Sequence, residues 1–121
     1  MELVTDFYTG FEGEPEINFF FQEFSGRKVV VKSWIGYFDS IMGAIQATES
    51  GWKGLSYYYH TATGWFEETP WKIPHLGDAL IDLQRVNTTE FDEDTLTVYQ
   101  SILELLQRAH SLNGTVWIEY D

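Results

Sequence analysis

The sequence predicts an α+β fold, with a mainly antiparallel sheet of about five or six strands, about three helices and one domain spanning residues 1–121. The amino-terminal third is rich in β-branched and aromatic residues separated by turn signals, which predicts strands. Helical periodicity then begins after Gly36 and recurs twice before a final alternating run. A chain of this length can bury a core without disulfides, and it contains no cysteine.

Three runs near the amino terminus predict strands. The first is Glu2 to Thr9, the second Ile17 to Phe24 and the third Lys28 to Trp34. Ser25-Gly26 separates the last two, and such a short glycine-containing link is typical of a β-hairpin. Because both of these strands have apolar residues at odd and even positions, we expect them to be central and covered on both faces.

Apolar residues spaced i, i+3, i+4 and i+7 predict three helices. The first is expected over Asp39 to Ser50, the second begins near Pro74, and the third spans roughly Asp94 to Leu112. One face of the third helix is expected to carry Leu96, Tyr99, Leu103, Leu106 and His110.

Two further segments predict strands. Leu55 to His60 and Trp65 to Glu68 are rich in aromatic and β-branched residues and flank a short loop with a glycine, which predicts a second hairpin. The alternation from Thr115 to Tyr120 predicts a strand near the carboxyl terminus.

The chain is strongly acidic, with 19 Asp and Glu against 7 Lys and Arg and a net charge of -12. Nucleic-acid binding by phosphate neutralisation is therefore excluded, and docking on anionic membranes is disfavoured. A hydrophobic content of 44% argues against an acidic disordered chain. Since no run approaches the roughly 20 apolar residues of a membrane span, we expect a soluble, cytoplasmic protein.

Motifs for catalysis and for metal or cofactor binding are missing from the sequence, so we expect neither an enzyme nor a cofactor. His60, His75 and His110 lack metal-ligand spacing, and no nucleophile elbow or glycine-rich phosphate loop occurs. Glu67 and Glu68 could suggest a glycosidase pair. Neighbouring side chains of a strand point to opposite faces, however, so the two could not act on one bond.

Carboxylates at helix starts have a second explanation. Asp78 and Asp82 share one predicted helix face and could hold a cation or a partner's lysine, but the helix dipole and pairing with Arg85 also account for them. The acidic run Glu90 to Asp94 lacks the glycine and the terminal Glu of a calcium loop. Capping of the last helix explains this run better.

Aromatic and acidic residues interleave between positions 57 and 71, which predicts a protein-binding surface. The candidate anchors are Trp65 and Trp71. The candidate steering charges are Glu67, Glu68, Asp78 and Asp82, with Glu90, Asp92 and Glu93 in reserve. Because a charge of -12 opposes folding by self-repulsion, it favours a basic protein as the partner.

The chain resembles the small acidic immunity proteins of bacterial polymorphic toxins, particularly those of contact-dependent growth inhibition systems. The resemblance is carried by the segments 64–68 and 71–74 and by the ending, residues 103–110 and 115–121. It implies non-covalent neutralisation of one cognate toxin, often a basic nuclease whose substrate groove attracts carboxylates.

Two other functions fit the same residues. In a small-ligand module, Trp65, Trp71 and the tyrosines would line a pocket for a sugar or an aromatic metabolite. An acidic nucleic-acid mimic would inhibit a host enzyme with carboxylates spaced like phosphates along an elongated surface.

Overall fold

A computed structural model describes residues 2–45, 54–61 and 70–120. The elements in chain order are β1 (Glu2–Phe7), β2 (Glu16–Gln22), β3 (Lys28–Trp34), α1 (Ile35–Gly43), α2 (Gly54–Thr61), β4 (Trp71–Lys72), α3 (Leu76–Gln84), α4 (Glu93–Ser111) and β5 (Trp117–Tyr120). The predicted α+β fold is confirmed, with a five-stranded sheet and four helices in the part of the chain that the structure describes.

The sheet is mixed, in the order β1-β3-β2-β5-β4. Its β1–β3 pair is parallel, and its other three neighbouring pairs are antiparallel. The predicted β2–β3 hairpin is present, with Gln22 opposite Lys28. Its loop is longer than the two-residue link expected, since β2 ends at Gln22 and β3 begins at Lys28. Across this loop the Glu23 N–H donates to the Arg27 carbonyl at 2.8 Å.

Among the described residues, one face of the central strands packs into the core. Ile17, Phe19 and Phe21 of β2 are almost fully buried with α1 and α4 residues in one apolar cluster. Phe20 and Val30 point to the other face, where they are half-buried and belong to no part of that cluster. The central position of β2 and β3 was predicted correctly, but the described residues cover one face rather than two.

The helices differ from the predicted ones in position and in the face they bury. α1 starts at Ile35, directly after β3, where the Ile35 N–H donates to the Pro15 carbonyl at 3.1 Å. The start lies four residues before the predicted Asp39, and the hydrogen bond continues the β2–β3 pairing by one residue. The buried stripe of α4 includes Val98, Ile102, Leu105 and Ala109, so the predicted stripe was wrong at its end: His110 is exposed.

The segment predicted to begin the second hairpin is a helix. Leu55, Tyr58 and Tyr59 lie at i, i+3 and i+4 in α2; Leu55 is buried and both tyrosines pack against the core. The β propensity of three consecutive tyrosines is overridden because helical spacing brings these apolar groups to one side. The predicted partner strand, Trp65 to Glu68, lies outside the described residues. Just after that segment, the described residues Trp71–Lys72 form β4, which pairs with β5.

Candidate partner-binding surface

Six of the nine predicted partner-binding residues lie in described parts of the chain. They are Trp71, Asp78, Asp82, Glu90, Asp92 and Glu93. Trp65, Glu67 and Glu68 lie outside those parts.

Trp71 and Asp78 meet at a cavity between α2, β4 and the start of α3. The cavity has a volume of about 250 Å³. Its base includes the buried side chains of Leu55 and Ile73. Other lining residues are Tyr57, Tyr58, Trp71, His75 and Asp78. The cavity therefore combines an apolar base and aromatic walls with one carboxylate, a composition suited to binding.

Three aromatic rings form a continuous edge-to-face series along this cavity. The ring centroids of Tyr57 and Tyr58 are 5.2 Å apart with an interplanar angle of 86°. Those of Tyr58 and Trp71 are 5.1 Å apart at 66°. Trp71 is fixed by β4, where it lies opposite Ile118 of β5. The walls of the cavity thus stand in different planes and hold one another in place.

A glycine brings α2 and α3 into contact beside the cavity. Gly54 has a positive φ of 59°, and a Cβ at this position would lie 2.7 Å from the backbone oxygen of Asp78. Only a residue without a side chain allows this approach. The helix that carries the cavity tyrosines is consequently held at a fixed distance from the helix that carries Asp78.

Asp82 does not share the exposure of Asp78, although the two lie one helical turn apart. The Asp82 side chain is 1% exposed, and its Oδ1 lies 3.8 Å from Nη1 of Arg85. This is the pairing with Arg85 that the sequence suggested. Asp78 is exposed. Of the two carboxylates, therefore, only Asp78 is available at the surface.

The acidic run before α4 acts first as a helix cap. The Thr95 N–H donates to Oδ1 of Asp92 at 2.7 Å. Hydrogen bonding from this backbone group is the largest cause that lowers the pKa of Asp92 below its ordinary value. Glu93 follows in the first turn, where the helix dipole favours an anion, and Glu90 is exposed just before it. The capping explanation of this run is confirmed for Asp92.

Next to this helix start lies an aromatic cluster that the sequence did not reveal. Phe11 and Trp34 stack with centroids 4.5 Å apart, and Tyr37 meets both rings edge-on at 5.6 and 5.3 Å. Burial, followed by the charges of Asp94 and Asp92, raises the pKa of Tyr37. The only signal in the sequence is a pair of aromatic residues at the β3–α1 junction. No pattern in the sequence indicates that Phe11 joins them, because it lies more than twenty positions before Trp34.

The predicted site residues separate into two groups at opposite ends of α4. Gly77, beside Asp78, approaches His110 near the carboxyl end of α4, where a Cβ on Gly77 would lie 3.5 Å from the His110 Nε2. Asp92 and Glu93 lie at the amino end. At 1.5 Å per residue the two ends are roughly 25 Å apart.

Charge is distributed unevenly between the helices and the sheet. We define the helical layer as α1, α2, α3, α4 and the connection between α3 and α4. Its seven exposed carboxylates are Asp39, Asp78, Glu90, Asp92, Glu93, Asp94 and Glu104. Both arginines of the described layer are already paired, Arg85 with Asp82 and Arg108 with Glu23. The three described lysines, Lys28, Lys32 and Lys72, all lie on strands. In the described part of the chain the helical layer is therefore the more acidic side, although the strands and their loops also carry exposed carboxylates, namely Glu2, Asp6, Glu12 and Glu14.

Within the described ranges, no group of three His, Cys, Asp or Glu side chains could hold a metal ion. None of the helices found there is both long and apolar enough to cross a membrane.

Comparisons with known proteins gave no matching family model, no similar curated protein and no similar solved structure. The chemistry of the surface itself must indicate its function.

Proposed function

We propose that this chain is an immunity protein that binds and neutralises a cognate bacterial toxin domain, best matched by a basic nuclease. The observation that carries the proposal is the acidic helical layer, where seven carboxylates are exposed and the two arginines of the described layer are already paired. An exposed charge of one sign with few internal partners is suited to an oppositely charged partner.

A nuclease fits this surface because it presents lysines and arginines where it binds phosphates. Carboxylates of the helical layer would occupy those cationic positions in place of the substrate and so block the groove. Complementary charge also speeds encounter, with association rate constants rising by several orders of magnitude at low salt. Such pairs reach the tightest affinities known between proteins. An immunity role would place the chain in the cytoplasm, where an incoming nuclease acts.

The dimensions of the helical layer are compatible with one partner covering both groups of site residues. A standard interface buries about 800 Å² on each partner, which corresponds to a patch about 30 Å across. The Trp71–Asp78 cavity and the Glu90–Glu93 group are roughly 25 Å apart along α4. In this arrangement Trp71 serves as an aromatic anchor, and the distal carboxylates steer and align the partner.

A small-ligand module is the second candidate, and the aromatic cavity is the observation that favours it. A ligand such as a sugar or an aromatic metabolite would stack on Tyr58 and Trp71. The volume of about 250 Å³ is below the roughly 300–1,000 Å³ typical of drug-sized ligands. The cavity by itself is therefore better suited to a side chain or a fragment than to a whole metabolite.

Co-expression with the toxin domain encoded beside its gene tests the proposed function. We expect growth to be rescued and the two proteins to co-purify, while a toxin domain taken from an unrelated locus stays lethal. Persistent toxicity with the neighbouring toxin would contradict the immunity role. A neighbourhood of metabolic genes without any toxin would favour the ligand module instead.

A further inference from the structure

We infer that the cavity between α2, β4 and α3 is a socket for an organic cation, namely an arginine or lysine side chain of the basic partner. This inference rests on the proposed function and assigns its central contact. The sequence singled out Trp71 and Asp78 separately, as an anchor and as a steering charge, and the structure brings both to one cavity.

The aromatic walls favour a cation over a neutral ligand. A guanidinium or ammonium group is attracted to the negative faces of tryptophan and tyrosine rings within about 6 Å. Tyr57, Tyr58 and Trp71 stand at steep angles to one another, 86° and 66° for the two contacting pairs. Rings in different planes can surround a cation from more than one side, which a single stacked pair cannot do.

The carboxylate of Asp78 supplies the charge that such a ligand requires. Asp78 is exposed, and among the described residues its carboxylate has no hydrogen-bond or ion-pair partner. Lysine and arginine are missing from the described lining, where His75 is the other ionisable side chain besides the tyrosines. A cation entering the cavity would therefore meet a carboxylate that no described lining residue neutralises.

The volume of the cavity, and its apolar base below a charged rim, fit a long basic side chain. The apolar base at Leu55 and Ile73 suits the methylene stem, and the charged head would lie between the rings and Asp78. A cavity of about 250 Å³ accepts one such side chain but is small for a complete metabolite. The close contact of Gly54 with the Asp78 backbone sets the spacing between α2, which carries the tyrosines, and the start of α3, which carries Asp78.

Titration of the isolated chain with amino-acid amides tests the socket without any toxin. The probes are N-acetylarginine amide, N-acetyllysine amide and N-acetylcitrulline amide, the last being the neutral counterpart of arginine. Binding is followed at low salt through the indole N–H resonance of Trp71. We expect saturable binding of the arginine and lysine probes and at least tenfold weaker binding of citrulline.

Matched variants identify the carboxylate. Asp78→Asn should weaken the arginine probe about tenfold, because it removes one charge-assisted contact. Glu2→Gln neutralises an exposed carboxylate on β1 that belongs neither to the helical layer nor to the cavity lining, and it should leave binding unchanged. Circular dichroism of both variants checks that the fold is retained.

Three results would overturn the socket: no saturation with any probe, equal binding of citrulline and arginine, or no effect of Asp78→Asn. A preference for tetramethylammonium over both basic amides would overturn its assignment to a protein side chain. If the neighbouring toxin is neutralised but no probe binds, the cation site is contradicted and the proposed immunity role is retained. If the basic probes bind but the toxin is not neutralised, the cation site is retained and the immunity role is contradicted.

Discussion

The indole ring of Trp34 lies so close to the Cα of Gly36 that a Cβ at position 36 would overlap three carbon atoms of the ring. The same indole stacks on Phe11 with an interplanar angle of 5°. The absence of a side chain at Gly36 thus allows the β1–β2 loop to pack on the β3–α1 junction. That packing also holds Tyr37 beside the acidic start of α4.

Gly36→Ala should lower the free energy of unfolding by about 1–2 kcal/mol. Alanine alone would stabilise a helix, but here it displaces the indole and weakens its ring contacts, each worth about 0.5–1.5 kcal/mol. Urea denaturation measures the change. Gly43→Ala, in the same helix and with open space around its Cβ, is the control and should be neutral or stabilising by up to about 1 kcal/mol. Equal stabilisation by both variants would show that the indole does not occupy this position.

Gly54→Ala should be destabilising by about 1–3 kcal/mol, because the added Cβ meets the Asp78 backbone and separates α2 from α3. The positive φ alone does not explain the glycine, since Asn113 adopts a nearly equal φ of 55° with a side chain present. Asn113→Ala therefore serves as the control for the conformational cost of alanine at this φ. Thermal and urea unfolding should show a larger loss of stability for Gly54→Ala than for Asn113→Ala. An equal loss would show that the close approach of Gly54 to the Asp78 backbone does not contribute to stability.

Asp92→Asn and Asp92→Ala should differ in stability at neutral pH but share a weaker dependence on acid. Asparagine caps a helix about as well as aspartate, so the first variant should keep most of the stability at neutral pH, whereas alanine loses the cap at every pH. The folded pKa of Asp92 is depressed below 3.8, so its ionised form contributes stability above that value. This contribution is lost as the pH falls through the folded pKa. In both variants the free energy of unfolding should fall less steeply as the pH is lowered. If Asp92→Asn lost stability in acid as steeply as the unchanged protein, the stabilising role of ionised Asp92 would be contradicted.

Tyr59 should ionise at unusually high pH. Burial first, and then the hydrogen bond that its hydroxyl donates to Asp39 at 2.8 Å, raise its pKa from 10.0 to about 12. The contribution of the phenol to stability is complete below pH 10 and is lost as the pH rises towards 12. Phenolate absorbance measures the titration. Asp39→Asn should lower the pKa of Tyr59 but leave it above 10.0, because burial is the larger cause of the shift. A return of the pKa to 10.0 would show that the hydrogen bond, not burial, is the larger cause.

The elements predicted correctly are those whose residues determine their structure locally. The β2–β3 hairpin, α3 and α4 have strong periodicity and recognisable turns or caps, and capping was predicted for the acidic run Glu90 to Asp94 from its position before the last helix. By contrast, the segment Leu55 to His60 combines the β propensity of its tyrosines with a helical spacing of apolar groups. It forms a helix because that spacing lets Leu55, Tyr58 and Tyr59 pack against the core. The two residues of β4 are too few to form any pattern.

The site was predictable in composition but less so in geometry. Trp71 and Asp78 are seven positions apart, and their meeting at one cavity depends on how α3 packs against α2. The opposite exposures of Asp78 and Asp82 depend on tertiary contacts of α3, because the spacing of the two residues predicts a shared face. The stacking of Phe11 on Trp34 and the parallel pairing of β1 with β3 are long-range contacts that no local pattern encodes.

The association rate constant between this chain and its neighbouring toxin domain tests the central claim most directly. Stopped-flow measurements at low and high salt would compare Asp78→Lys combined with Glu93→Lys, on the helical layer, with Glu2→Lys combined with Glu119→Lys, on the sheet. Both double variants change the net charge equally. We expect the helical-layer variant to slow association at least tenfold at low salt and to lose most of the salt dependence, while the sheet variant changes little. Equal slowing by both variants, or no slowing by either, would contradict binding through the acidic helical layer.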